Sequence, residues 1–95
     1  MDRHDLVAPS VEIYTGPLCS YCARAKSLLT AKGITFKEHD VSGPGGREAM
    51  QQRLPRARTI PQIFIAGEHI GGCEDLELLE STGRLDPMLG RSAKQ

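Results

Sequence analysis

An α/β fold is predicted for this 95-residue chain by three features of its order. A β-rich run at Val11 to Thr15 is followed by a helical pattern and then by a second β-rich run, which makes a strand–helix–strand unit. Two shorter β-rich runs then meet around Gly67 as a hairpin. A final helical pattern begins directly after Gly71-Gly72.

Each element has a local reason. Val11 to Thr15 reads as the first strand, and Gly16-Pro17 as the turn that leaves it. A helix is expected from about Ser20 to Ala31, with Ala23, Ala25, Leu28 and Leu29 among its apolar positions and Gly33 as its stop. Ile34 to Val41 is expected to be the second strand from its Ile-Thr-Phe content, and a crossover of this length is right-handed and parallel. Ser42-Gly43-Pro44-Gly45-Gly46 is a loop, and Arg47 to Leu54 is a short helix stopped by Pro55. Gln62 to Ala66 and Glu68 to Ile70 form the hairpin strands. Cys73 to Ser81 is helical, with Leu76, Leu78 and Leu79 as apolar surface and Gly83 as its end, and Asp86 to Leu89 adds one turn.

The chain has room for one domain, expected over residues 10–90, burying roughly 60–65% of its unfolded surface. Residues 1–9 are expected to be a disordered extension and 91–95 a flexible tail. Twelve basic residues balance twelve acidic ones, and there are only two Tyr and two Phe. That balance leaves no electrostatic footprint for nucleic acid or a membrane surface. The first ten residues lack the apolar core of a signal peptide, and no run approaches a membrane span. A cytoplasmic location with reduced thiols is therefore expected.

The chemistry concentrates in Cys19-Ser20-Tyr21-Cys22. A Cys-x-x-Cys opening a helix inside a βαβ pattern suits thioredoxin-like thiol–disulfide exchange, because the amides of a helix start favour the reactive thiolate. The same spacing supplies half of many zinc sites, for which Cys73, His39 and His69 are the remaining candidates. Downstream, Thr59-Ile60-Pro61 precedes the strand Gln62-Ile63-Phe64-Ile65, where a proline is a terminator or a rigid turn. In Gly71-Gly72-Cys73-Glu74-Asp75-Leu76, two glycines permit close approach of a ligand backbone to a helix start. Its amides suit a carboxylate, and Glu74 or Asp75 suits an ammonium group. The plainer alternatives are that Glu74 and Asp75 cap the helix, Cys73 is a small packed residue, and Tyr21 only packs. His4, His39 and His69 then read as ordinary surface or strand residues, and Arg47, Arg53, Arg56 and Arg58 as a solvated basic run.

These motifs, with Tyr14-Thr15, Ala25-Lys26 and Leu28-Leu29, resemble those of short bacterial dithiol glutaredoxins from about Val11 to Leu89. The resemblance implies a thioredoxin-like α/β fold, a four-stranded mixed sheet flanked by helices, and glutathione as co-substrate. It makes Cys19 the nucleophile and Cys22 the resolving thiol. It places Tyr21 and Thr59 beside glutathione, gives Ile60, presented by a cis-Pro61, the cysteinyl part, and leaves Gly72, Cys73, Glu74 and Asp75 to hold the γ-glutamyl end. The implied partners are glutathione and glutathionylated or disulfide-containing proteins, met by a monomer.

Two positions depart from the family pattern. Ser20 stands where most dithiol members have proline, adding a donor near Cys19 and loosening the turn. Gly16 stands where the family usually has a lysine, so weaker glutathione affinity is expected, with Arg58 the leading substitute ahead of Arg47 and Arg53. Some family members with serine in the proline position, as at Ser20, hold a [2Fe-2S] cluster between two subunits, and Cys19 would be the ligand here. A reductase partner independent of glutathione would use the cysteines but leave Gly71 to Asp75 without a task.

Overall fold

The computed structural model describes residues 9–91. Residues 1–8 of the expected extension, including His4, and residues 92–95 of the expected tail lie outside the described residues. Arg91 itself donates from Nη1 to the Lys32 carbonyl at 2.7 Å.

The elements run β1 (Val11–Thr15), α1 (Ser20–Ala31), β2 (Lys37–Asp40), α2 (Gly46–Arg53), β3 (Gln62–Ile65), β4 (Glu68–Gly71), α3 (Cys73–Ser81) and α4 (Leu85–Met88). They build one four-stranded mixed sheet in the order β2-β1-β3-β4. β1 pairs with β2 in parallel, as the crossover requires, and with β3 in antiparallel fashion. The β3–β4 hairpin turns through Ala66 at φ 54° and Gly67 at φ 80°, two positive angles that let a two-residue turn follow the strand twist.

Strand alternation divides the interior in two. Ile13, Ile63 and Ile65 join Ala25 and Leu29 of α1 and Leu76 of α3 in the larger core. Tyr14 and Phe64 face the other way and meet Val41 and Met50 in the smaller one, beneath α2. Each fully buried Ile, Leu or Met contributes about 1.5–3 kcal/mol relative to exposure. In α1 the buried residues are Cys22, Ala25 and Leu29, which share one helix face. Ala23, expected among the apolar positions, is exposed on the opposite side.

The second strand is shorter than its composition predicts. Pairing with β1 begins at Lys37, opposite Glu12, so Ile34 to Phe36 precede the ladder. Ile34 is instead bound to the end of α1, its N–H donating to the Leu29 carbonyl at 2.9 Å. Ile34 and Phe36 pack against the larger core, and the paired segment Lys37–Asp40 is a polar edge. The strand content of Ile-Thr-Phe reflects burial there, not pairing.

Arg53 also departs from its solvated reading. Its guanidinium carbon lies 3.7 Å from the centre of the Phe64 ring, and Nη1 donates to Glu12 at 2.9 Å and to the Tyr14 hydroxyl at 3.0 Å. This places Arg53 on the α2 face of the sheet, so it does not stand in for the lysine absent at Gly16.

Candidate active site

Where β1 ends, Gly16-Pro17-Leu18 carries the chain outward, with Leu18 fully exposed at φ 54°. Cys19 is the N-cap of α1 in an extended conformation, φ −114° and ψ 105°. Its Sγ accepts the Cys22 N–H at 3.1 Å, so a sulfur fills the place usually taken by a side-chain oxygen. A thiolate at that position would gain from the amide and from the partial positive charge of the helix start.

The two sulfurs differ sharply. Cys22 is 1% exposed, and its thiol is pushed up to about 12 by burial and then by the hydrogen bond with Cys19. Cys19 is only half-buried, so one thiol is presented and the other is held protonated behind it.

Opposite the cysteines, the Ile60–Pro61 peptide bond is cis, as the family resemblance implies. The Cys19 thiol lies 3.9 Å from the Ile60 carbonyl oxygen. A groove of about 560 Å³ runs from Tyr21 past Thr59, Ile60 and Pro61 to the start of α3. Its far wall includes Gly72, Cys73, Glu74 and Asp75, so one depression gathers nearly every anticipated site residue. The exceptions are Arg58, exposed next to Thr59, and the pair Cys19 and Cys22, which stand outside the groove lining with Cys19 beside Ile60.

The far end is built by Asp75 folding back. Its Oδ2 accepts the N–H of Gly72, the N-cap of α3, at 2.9 Å. The capping role considered for Asp75 is therefore real, while the next amides of the helix start have no intrahelical acceptor and can receive an anion. Gly71 makes the fold-back possible. It sits at φ 118°, and a Cβ there would collide with the Asp75 carboxylate, coming within 2.6 Å of Cγ. Cys73 is buried, its thiol raised by burial first and then by the nearby Glu77 carboxylate. Glu77 in turn accepts from Arg24 at 2.6 Å, and Arg24 lies 5.1 Å from the centre of the Tyr21 ring.

Two lining residues were not read from the sequence as part of the groove, Gln62 and His69, whereas Gly71 was singled out with Gly72 for close approach of a ligand. Gln62 follows Pro61 directly, and a polar side chain opening an apolar strand is the signal that would have singled it out. The zinc candidates do not converge; among the described residues no three of His, Cys, Asp and Glu form a metal-holding group. His39 instead bonds Glu12 at 2.9 Å and stacks on Tyr14.

A cysteine pair at a helix start, facing a cis-proline across the end of a mixed sheet, defines a thiol–disulfide oxidoreductase of the thioredoxin-like fold. The family model described as glutaredoxin matches residues 11–70. Glutaredoxin 3 of Escherichia coli K12 is 52% identical over 81 residues, which is 84% of this chain and 96% of that protein. The solution structure of a glutaredoxin from Brucella melitensis superposes with a TM-score of 0.74 at 53% identity, covering 86% of this chain and 89% of its own. The crystal structure of a buckwheat glutaredoxin–glutathione complex gives a TM-score of 0.77 at 30% identity, with 86% and 77% covered. The chain belongs to the glutaredoxin family.

Proposed function

We propose that this oxidoreductase uses glutathione to reduce protein–glutathione mixed disulfides and protein disulfides, as a monomer in the cytoplasm. The observation that carries this reading is the position of Cys19 Sγ, 3.9 Å from the carbonyl of Ile60, a residue that lines the groove. Glutathione laid along that groove would set its cysteinyl backbone against Ile60 like a short added strand. Its γ-glutamyl carboxylate would meet the free amides at the start of α3, with Glu74 beside its ammonium group and Tyr21 along its flank. The glutathione complex of the buckwheat relative supports this choice of ligand.

In the cycle, the Cys19 thiolate attacks the glutathione sulfur of a mixed disulfide. A new S–S bond forms as the old one breaks, and the protein thiolate leaves and takes a proton from water. A second glutathione thiolate then attacks the glutathione sulfur on Cys19, releasing glutathione disulfide and restoring the Cys19 thiolate. For protein disulfides, the Cys19 thiolate attacks one sulfur of the substrate disulfide and the other leaves as a thiolate. Cys22 then loses its proton and attacks Cys19 Sγ, breaking the bond to the substrate, freeing the reduced protein and leaving a Cys19–Cys22 disulfide for glutathione to reduce.

The test couples turnover of a glutathione mixed disulfide to NADPH oxidation through glutathione reductase. Robust turnover that disappears in Cys19→Ser and persists in Cys22→Ser is expected. Comparable inactivity of both variants would refute this division of roles. Weak turnover by folded, reduced protein would favour a [2Fe-2S] carrier instead. Among the described residues one chain offers only the accessible thiol of Cys19, so a cluster needs a second copy and two glutathiones.

A further inference from the structure

The side chains behind Thr59 form a directed chain of hydrogen bonds. Gln62 Nε2 lies 3.1 Å from the Thr59 carbonyl and 3.2 Å from Thr59 Oγ1. Gln62 Oε1 lies 2.8 Å from His69 Nε2. A backbone carbonyl can only accept, so the Gln62 nitrogen must face Thr59 and its oxygen must face His69. His69 Nε2 therefore carries a hydrogen and donates. The Thr59 hydroxyl, already accepting from Gln62, has its own hydrogen left for another acceptor, and Thr59 lines the groove. The His69 ring is held by Phe64, opposite it in the β3–β4 register, with ring centres 5.2 Å apart.

We propose that His69 and Gln62 are positioning residues that turn the Thr59 hydroxyl hydrogen into the groove, where it donates to an oxygen of glutathione. The proposal rests on the glutathione reading above. It gives work to three residues at a site where Gly16 supplies no lysine. His69 and Gln62 touch no reacting atom; they act through Thr59.

The experiment measures KM for glutathione and kcat in the coupled assay for Thr59→Val, Gln62→Leu, His69→Leu, His69→Gln and the Thr59→Val/His69→Leu double variant. Loss of one net hydrogen bond corresponds to a rise in KM of roughly fivefold in Thr59→Val, Gln62→Leu and His69→Leu, with kcat held within about twofold. The double variant should be no worse than Thr59→Val alone, because both changes break one chain. His69→Gln places an amide donor where Nε2 stood and should restore KM to within about twofold of the parent. Multiplicative effects in the double variant, or an unchanged KM in His69→Leu, would overturn the proposal.

Nitrogen NMR of the His69 ring gives a second readout that needs no turnover. Nε2 should be protonated, and its signal should move in Gln62→Leu. An Nδ1-protonated ring overturns the relay, whereas a correct ring in a protein that ignores glutathione overturns only the function reading.

Discussion

Arg53 bridges two paired strands on one face of the sheet: its guanidinium stacks 3.7 Å from the centre of Phe64 on β3, and Nη1 reaches Glu12, opposite Phe64 on β1, at 2.9 Å. Two hydrogen bonds and a cation–π contact from one side chain tie α2 to the sheet. The same ties hold the Glu12 carboxyl below its usual range, through His39 first and also through Arg53.

Arg53→Ala is therefore expected to lower stability by about 1–2 kcal/mol, the sum of a partly exposed cation–π contact and its hydrogen bonds. Chemical denaturation with an unchanged m-value would measure it. Arg53→Lys should recover less than half, because an ammonium group cannot stack and fork at once.

The thiols should separate in alkylation. At pH 7.5, iodoacetamide is expected to modify Cys19 and leave Cys22 and Cys73 unmodified until the protein is unfolded, as mass spectrometry would show. Because the folded Cys22 thiol sits at about 12 against an ordinary 9.0, the folded state holds its proton more tightly. The corresponding stability is complete below pH 9.0 and is lost as pH rises toward about 12. Cys22→Ala should flatten that alkaline decline.

Gly71→Ala should damage stability and site together. The new methyl group meets the Asp75 carboxylate, and the backbone at φ 118° is one that alanine resists. A loss of roughly 2 kcal/mol is expected, with a raised KM for glutathione because the Gly72–Asp75 fold-back is displaced. Thermal melts of Gly71→Ala and Gly71→Ala/Asp75→Ala should show partial recovery in the double variant.

Gly16→Lys is expected to lower KM for glutathione by adding a cation beside the nucleophile. The gain will be partial in that background, because a Cβ at position 16 comes within 2.9 Å of Ile60 Cδ1. Ile60→Val removes that methyl group, so Gly16→Lys/Ile60→Val should show the larger fall. Identical steady-state constants for the parent and both variants would show that the missing lysine carries no weight.

Local pattern made β1, α1, the hairpin and α3 legible, because each is signalled by apolar spacing and by a glycine or proline at its end. The site was legible wherever its chemistry is contiguous, as in Cys19 to Cys22, Thr59 to Pro61 and Gly72 to Asp75. It was hidden wherever a role is created by folding. His69 reaches Gln62 only across the hairpin, and Arg53 reaches Glu12 only after β1 and β3 pair. Ile34 and Phe36 misled in the opposite sense, since burial beside a strand draws on the same residue types as the strand itself.

Cys19 caps α1, and in the cycle proposed above it is also the attacking group, which would make every turnover a structural event in the first helical turn. When its sulfur is tied into a disulfide it can no longer offer the Cys22 amide an anionic acceptor. The start of α1 is thus better satisfied in the reduced enzyme than in either oxidised form, and the helix itself biases the protein toward releasing what it has captured.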